Sequence, residues 1–199
     1  MDRQKIGVKF FAVERQPLPL TAFIDVFHGW IQASDGVYLD VADYSHMHHG
    51  PGIVLVAHEA NLSIDETGGR RGFLFSQKAP LEGSNQERLA RVFRSALENC
   101  RRLQTEPALQ RKIEFRLDEF EVTINDRLRA PNTEETSEEI KSELAPFLGR
   151  LYGGSAISLE QDSDSRKLVR LRINALAPVD LTTMLRNLER NNTTENINV

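Results

Sequence analysis

Apolar and polar positions change their period along this chain, and each change marks an element. Residues 6–13 (IGVKFFAV) form an apolar run of strand length. Pro17 and Pro19 end it, and Pro19 suits the first turn of a helix. Phe23, Val26, Phe27, Trp30 and Ile31 then recur at the spacing of one buried helical stripe. After Gly36, Val37, Leu39 and Val41 alternate with Tyr38, Asp40 and Ala42, which predicts a strand. His49-Gly50-Pro51-Gly52 is a turn signal. The apolar run Ile53 to Ala57 follows, and the same strand is read on to Ile64. Such a run suits a central strand covered on both faces. Gly68-Gly69 marks another turn, and Gly72 to Phe75 a short strand.

Ser84-Asn85-Gln86-Glu87 has the form of a capping box, in which a hydroxyl and a carboxylate satisfy the free amides of a helix start. The helix it opens carries Leu89, Phe93, Ala96, Leu97, Cys100 and Leu103 on one face, and Pro107 lies just beyond its end. Ile113, Phe115 and Leu117 share one parity, whereas Phe120, Val122 and Ile124 share the other. Either a turn at Asp118-Glu119 or a bulge explains that slip. Asn132 or Thr133 caps a helix with Ile140, Leu144, Phe147, Leu148 and Leu151, and Pro146 predicts a kink or break inside it. Two alternating strands follow, at Ile157–Leu159 and Val169–Ile173. Pro178 opens a last helix with Leu181, Met184, Leu185 and Leu188.

Short turns between strands imply a mostly antiparallel sheet with helices to one side: an α+β fold with about four helices. We read residues 1–190 as one α+β domain and 191–199, rich in Asn and Thr, as a disordered tail. The halves 1–105 and 110–190 echo each other as β-α-β-β units. At an offset of 120 residues Ile24 matches Leu144, Phe27 matches Phe147, Gly29 matches Gly149 and Ile31 matches Leu151. Val37 and Leu39 match Ile157 and Leu159 in the same step.

Composition narrows the function classes. The 199 residues are 40% apolar and 27% charged, as expected of a globular chain. A net charge of −4 argues against a surface given over to nucleic acid. The single cysteine, Cys100, excludes an intrachain disulfide. No stretch reads as a signal peptide or membrane span, so a cytoplasmic location without membrane association is expected. A homodimer is the default assembly, with Trp30, Tyr38, Tyr44 and Met47 as candidate contacts.

Four of the five histidines, His46, His48, His49 and His58, fall within 13 residues. Imidazole is a common ligand of divalent transition metals, because a ring nitrogen offers a lone pair near neutral pH. The candidate metal set is His46, His48 and His58, with Asp43 or Glu59 added. A hairpin about residues 49–52 does not align these histidines, so the set needs a bulge or a neighbouring subunit. The plainer reading makes His58 a core histidine and the others turn decoration. Asp40 and Asp43 are of opposite parity, which argues against paired acid–base work. Arg88, Arg91, Arg94, Arg101 and Arg102 lie off the apolar stripe of the capped helix, Arg170 and Arg172 share a strand face, and Arg70-Arg71 occupy a turn.

Three functions therefore stand beside one another. The first is a non-catalytic binding or interaction module. The second is a metal-dependent hydrolase or oxygenase built on the histidines. The third is an anionic-ligand or nucleic-acid binder using the arginine-rich helix 84–104. Two stretches, Val41-Ala42-Asp43-Tyr44 through His58-Glu59-Ala60-Asn61 and Ile124-Asn125-Asp126-Arg127-Leu128 with Ala130-Pro131-Asn132-Thr133, resemble an uncharacterised family of bacterial proteins of about this length. The resemblance implies a bacterial cytoplasmic setting and carries no activity, cofactor or site residue.

Overall fold

The computed structural model describes residues 3–162, 164–177 and 179–194. The strands are β1 (Ile6–Glu14), β2 (Tyr38–Tyr44), β3 (Gly52–Ala57), β4 (Ala60–Asp65), β5 (Gly72–Gln77), β6 (Ile113–Ile124), β7 (Ile157–Gln161) and β8 (Val169–Ala175). The helices are α1 (Thr21–Gln32), α2 (Asn85–Thr105), α3 (Glu134–Leu151) and α4 (Leu181–Thr194). All eight strands join one antiparallel sheet in the order β2-β3-β4-β5-β1-β6-β8-β7. The α+β expectation holds.

Without the β4–β5 hairpin the order is a palindrome, β2-β3-β1-β6-β8-β7. α1 follows β1 and packs on β2 and β3, just as α3 follows β6 and packs on β7 and β8. The matched pair Phe27 and Phe147 are both buried in the core. All four helices and one side of the strands contribute to a single apolar cluster. At its centre the Phe93 ring lies 6.3 Å from Phe10, 5.6 Å from Phe120 and 4.9 Å from Phe147.

Several local expectations change. The run 53–64 is two strands, because the chain reverses over His58-Glu59, a hairpin turn without glycine or asparagine. The 113–124 slip is a bulge within one long strand: Phe10 pairs with Phe120, but Ala12 pairs with Phe115. A second bulge at Leu39, between Tyr38 opposite Ala57 and Asp40 opposite Val56, reverses the parity of β2. Tyr38 and Val41 therefore pack on the core, while Val37 and Leu39 are exposed.

The α2 capping box forms as read, with Ser84 Oγ accepting from Glu87 N–H and the Glu87 carboxylate accepting from Ser84 N–H. Thr133 caps α3, and Asn132 instead donates to the carbonyls of Asp162 and Asp164, each at 2.8 Å. α3 runs unbroken through Pro146. α4 continues to Thr194, past the domain boundary at residue 190, and the tail beyond it, 195–199, lies outside the described residues, as does Pro178.

Candidate functional site

Sheet geometry separates the histidines. His46, His48 and His49 lie in the turn before β3, and His58 lies in the turn after it. The six residues of β3 put roughly 20 Å between those turns at strand rise. The chain therefore does not bring His46, His48 and His58 together, and Glu59 sits with His58 alone. The core-histidine reading of His58 also changes, because its side chain is exposed. His48 and His49 do touch, with ring centroids 3.9 Å apart. Among the described residues no three His, Cys, Asp or Glu side chains are grouped to hold a metal ion. Asp43 accepts from the amide of Ser45 at 2.8 Å, and hydrogen bonds from Ser45 lower its pKa.

The arginines of α2 do not act as one face. Arg88 Nε donates to the Leu81 carbonyl at 2.8 Å, and the Arg102 guanidinium lies 3.8 Å over the Trp30 ring. Trp30 itself is 3% exposed, and its indole N–H donates to Glu106 at 3.0 Å, which withdraws it from any interface. Cys100 is core packing, as its place on the apolar stripe suggests.

The concentrated chemistry lies on the sheet face opposite the helices. Strand parity puts Ile6, Val8 and Phe10 of β1 into the core and turns Gly7, Lys9 and Phe11 the other way. Ladder register then builds one row across all eight strands: Ala42, Val54, Ser63, Leu74, Lys9, Glu121, Arg172 and Glu160. Its last four members alternate in charge. The neighbouring row runs Asn61, Ser76, Gly7, Thr123 and Arg170. Among the described residues none of α1–α4 packs on these rows, yet Lys9 is only 4% exposed, Asp65 3% and Glu121 5%.

Each buried charge is compensated. Lys9 Nζ donates to Asp65 Oδ1 at 2.6 Å and to the Thr67 carbonyl at 3.0 Å. Arg172 Nη2 donates to Glu121 at 3.1 Å, and Arg170 Nη1 is 3.5 Å from the other oxygen of that carboxylate. The β6 bulge turns Glu119 towards Arg70, which donates to both carboxylate oxygens and holds that carboxyl below its ordinary pKa. The same guanidinium lies 3.6 Å over the Phe11 ring, which buries an aromatic on a polar face. Lys167 pairs with Asp162 at 2.9 Å at the rim.

Two adjoining depressions occupy this face, of about 310 and 360 Å³. They share Thr67, Glu121 and Arg170. Arg70, Lys167, Arg170 and Arg172 line the first, and Lys5, Lys9 and Lys78 the second. Two buried polar atoms along them have no protein partner among the described residues: Arg172 Nε and Asn61 Oδ1. The first depression offers guanidinium donors held in place by Glu121, and so suits recognition of an anion. Asn61 lies four strands away, in the second depression.

The sequence signal for this face was the parity of Arg170 and Arg172. Lys9, Asn61, Ser63, Asp65 and Glu121 are the functional candidates that sequence reasoning missed. No family model, curated protein or solved structure matches the chain.

Proposed function

We propose that the chain is a non-catalytic binding module that holds a small anionic ligand on its helix-free sheet face. Arg170 and Arg172 are the principal anion contacts, with Arg70 and Lys167 at the rim. The observation that carries this reading is the buried Glu121 at the base of a groove into which four cations converge, against Glu121, Glu160 and Asp162 as the carboxylates of its lining. A groove of this volume falls in the size class of small-molecule sites. Glu121 supports the reading because it fixes both guanidiniums without saturating their donors.

Calorimetric titration with inorganic phosphate, pyrophosphate and citrate tests it. The expected result is saturable binding of at least one anion with a Kd below about 1 mM, weakened at least about tenfold in Arg170→Ala/Arg172→Ala. Absence of saturable binding overturns the reading. So does an unchanged Kd in the double variant. Tighter retention on heparin than on any small anion, falling steeply with salt, would replace the small ligand with a polyanion.

A bacterial cytoplasmic setting rests on the resemblance of the 41–61 and 124–133 stretches. Among the described residues no helix is long and apolar enough to cross a membrane. A homodimer through the exposed edge strand β2 is our proposal for assembly, with Tyr44 and Met47 as its exposed contacts. Light scattering that gives a monomer mass at micromolar concentration would dismiss it.

A further inference from the structure

A second cleft lies on the other side of the sheet. α1 covers β2 and β3, and α2 covers β1, β5 and β6, so the helices diverge above β4. The gap is about 670 Å³. Ala60 and Leu62 of β4 and Phe75 of β5 form its apolar floor. One wall is α2, which presents Arg91 and Arg94 to the cleft. Tyr38 forms part of the opposite wall, its hydroxyl accepting from Arg102 at 3.4 Å and its ring 6.4 Å from that of Trp30.

These two arginines are weakly engaged. Among the described residues Arg94 reaches only Glu189, at 3.7 Å, and that carboxylate is largely exposed. Among the described residues Arg91 makes no hydrogen bond or ion pair, and it feels Glu87 one turn earlier. Apolar floor and cationic wall together define an amphipathic site. From this juxtaposition we infer that the cleft binds an amphiphile with an anionic head and an apolar tail, the head meeting Arg91 and Arg94 and the tail lying on Leu62 and Phe75. This site is separate from the helix-free face and stands or falls without it.

The test uses decanoate, decyl phosphate and decanol as probes below their micellar concentrations. Trp30 is the only tryptophan and its ring lies 6.4 Å from that of Tyr38 in the cleft wall, so its fluorescence reports occupancy. At least one anionic probe is expected to bind saturably and at least about tenfold more tightly than decanol. Arg91→Ala/Arg94→Ala should remove that preference while leaving decanol binding within about twofold, because both side chains are on the helix surface. Ser95→Phe should block all three probes from the helix wall, and Ala60→Phe should do so from the floor. Equal binding of decanol and the anions overturns the charged-head assignment. Binding of no probe, or undiminished binding in folded Ser95→Phe, overturns the cleft. Neither result bears on phosphate or citrate binding at Arg170 and Arg172.

Discussion

Lys9 Nζ of β1 and Asp65 Oδ1 of β4 meet at 2.6 Å across the intervening strand β5, on the face away from α1–α4. Asp65 also accepts from the Thr67 amide at 3.1 Å and its hydroxyl at 2.8 Å. The pair therefore fixes the start of the turn that carries Arg70 and Arg71. Removing one member leaves the other charge buried and alone, which costs about 3–5 kcal/mol. Asp65→Ala should lower the urea midpoint accordingly. Lys9→Met/Asp65→Leu should recover more than half of that loss, because two compensated charges are exchanged for apolar packing. A double variant no more stable than Asp65→Ala would show that Lys9 is not stranded by loss of its partner.

Gly52 begins β3 with φ of +64°, and a Cβ built there would lie 2.0 Å from the Ile64 carbonyl oxygen. Backbone conformation and close approach both demand glycine. Gly52→Ala should destabilise the fold by about 2–4 kcal/mol. Gly29→Ala, on a helix with open space around it, serves as the control and should be neutral or slightly stabilising. Equal midpoints for the two variants would contradict the crowding at Gly52.

Acid should loosen the arginine seam. Hydrogen bonding from Arg70 lowers the Glu119 pKa from the ordinary 4.5, and Arg116 does the same for Asp118 from 3.8. A carboxyl with a depressed folded value stabilises the fold fully above its unfolded value. That contribution is lost as pH falls through the folded value. Stability should therefore fall below about pH 4.5, and Glu119→Gln should flatten the slope there while lowering stability at neutral pH. Urea titrations at neutral and acid pH decide it. A slope unchanged in Glu119→Gln removes this residue from the acid transition.

The Cys100 thiol should be silent in the native protein. It is fully enclosed by the core, and burial pushes its pKa well up. Reaction with an aromatic disulfide reagent should be at least about a hundredfold slower than in urea, limited by opening of the fold. A native rate near that of the unfolded chain would place α2 away from the sheet.

Much of the architecture was legible because it is local. The Ser84–Glu87 cap, the α2 stripe and the strand alternations each depend on neighbours within a few residues. The His58-Glu59 reversal was hidden because apolar residues flank it on both sides and neither turn residue carries a backbone signature. The bulge at Leu39 was hidden for a related reason: a one-residue slip reverses the faces without altering the sequence alternation. The charged face needed strand order as well. Lys9, Glu121 and Arg172 become neighbours only when β1, β6 and β8 lie side by side, and nothing near any one of them announces the other two. The histidines misled in the opposite way, since closeness in sequence became distance once β3 ran out between them.

At the middle of the sheet Ile6 lies opposite Ile124, so the seam between the halves joins the beginning of the chain to a strand far along it. The two halves thus share one ladder and have no natural line of separation. A cut between the exposed residues Glu82 and Gly83 leaves fragments that still clasp each other along β1 and β6. Co-expressed as separate pieces, they should co-elute as one particle, while either piece alone exposes an unpaired central strand and aggregates.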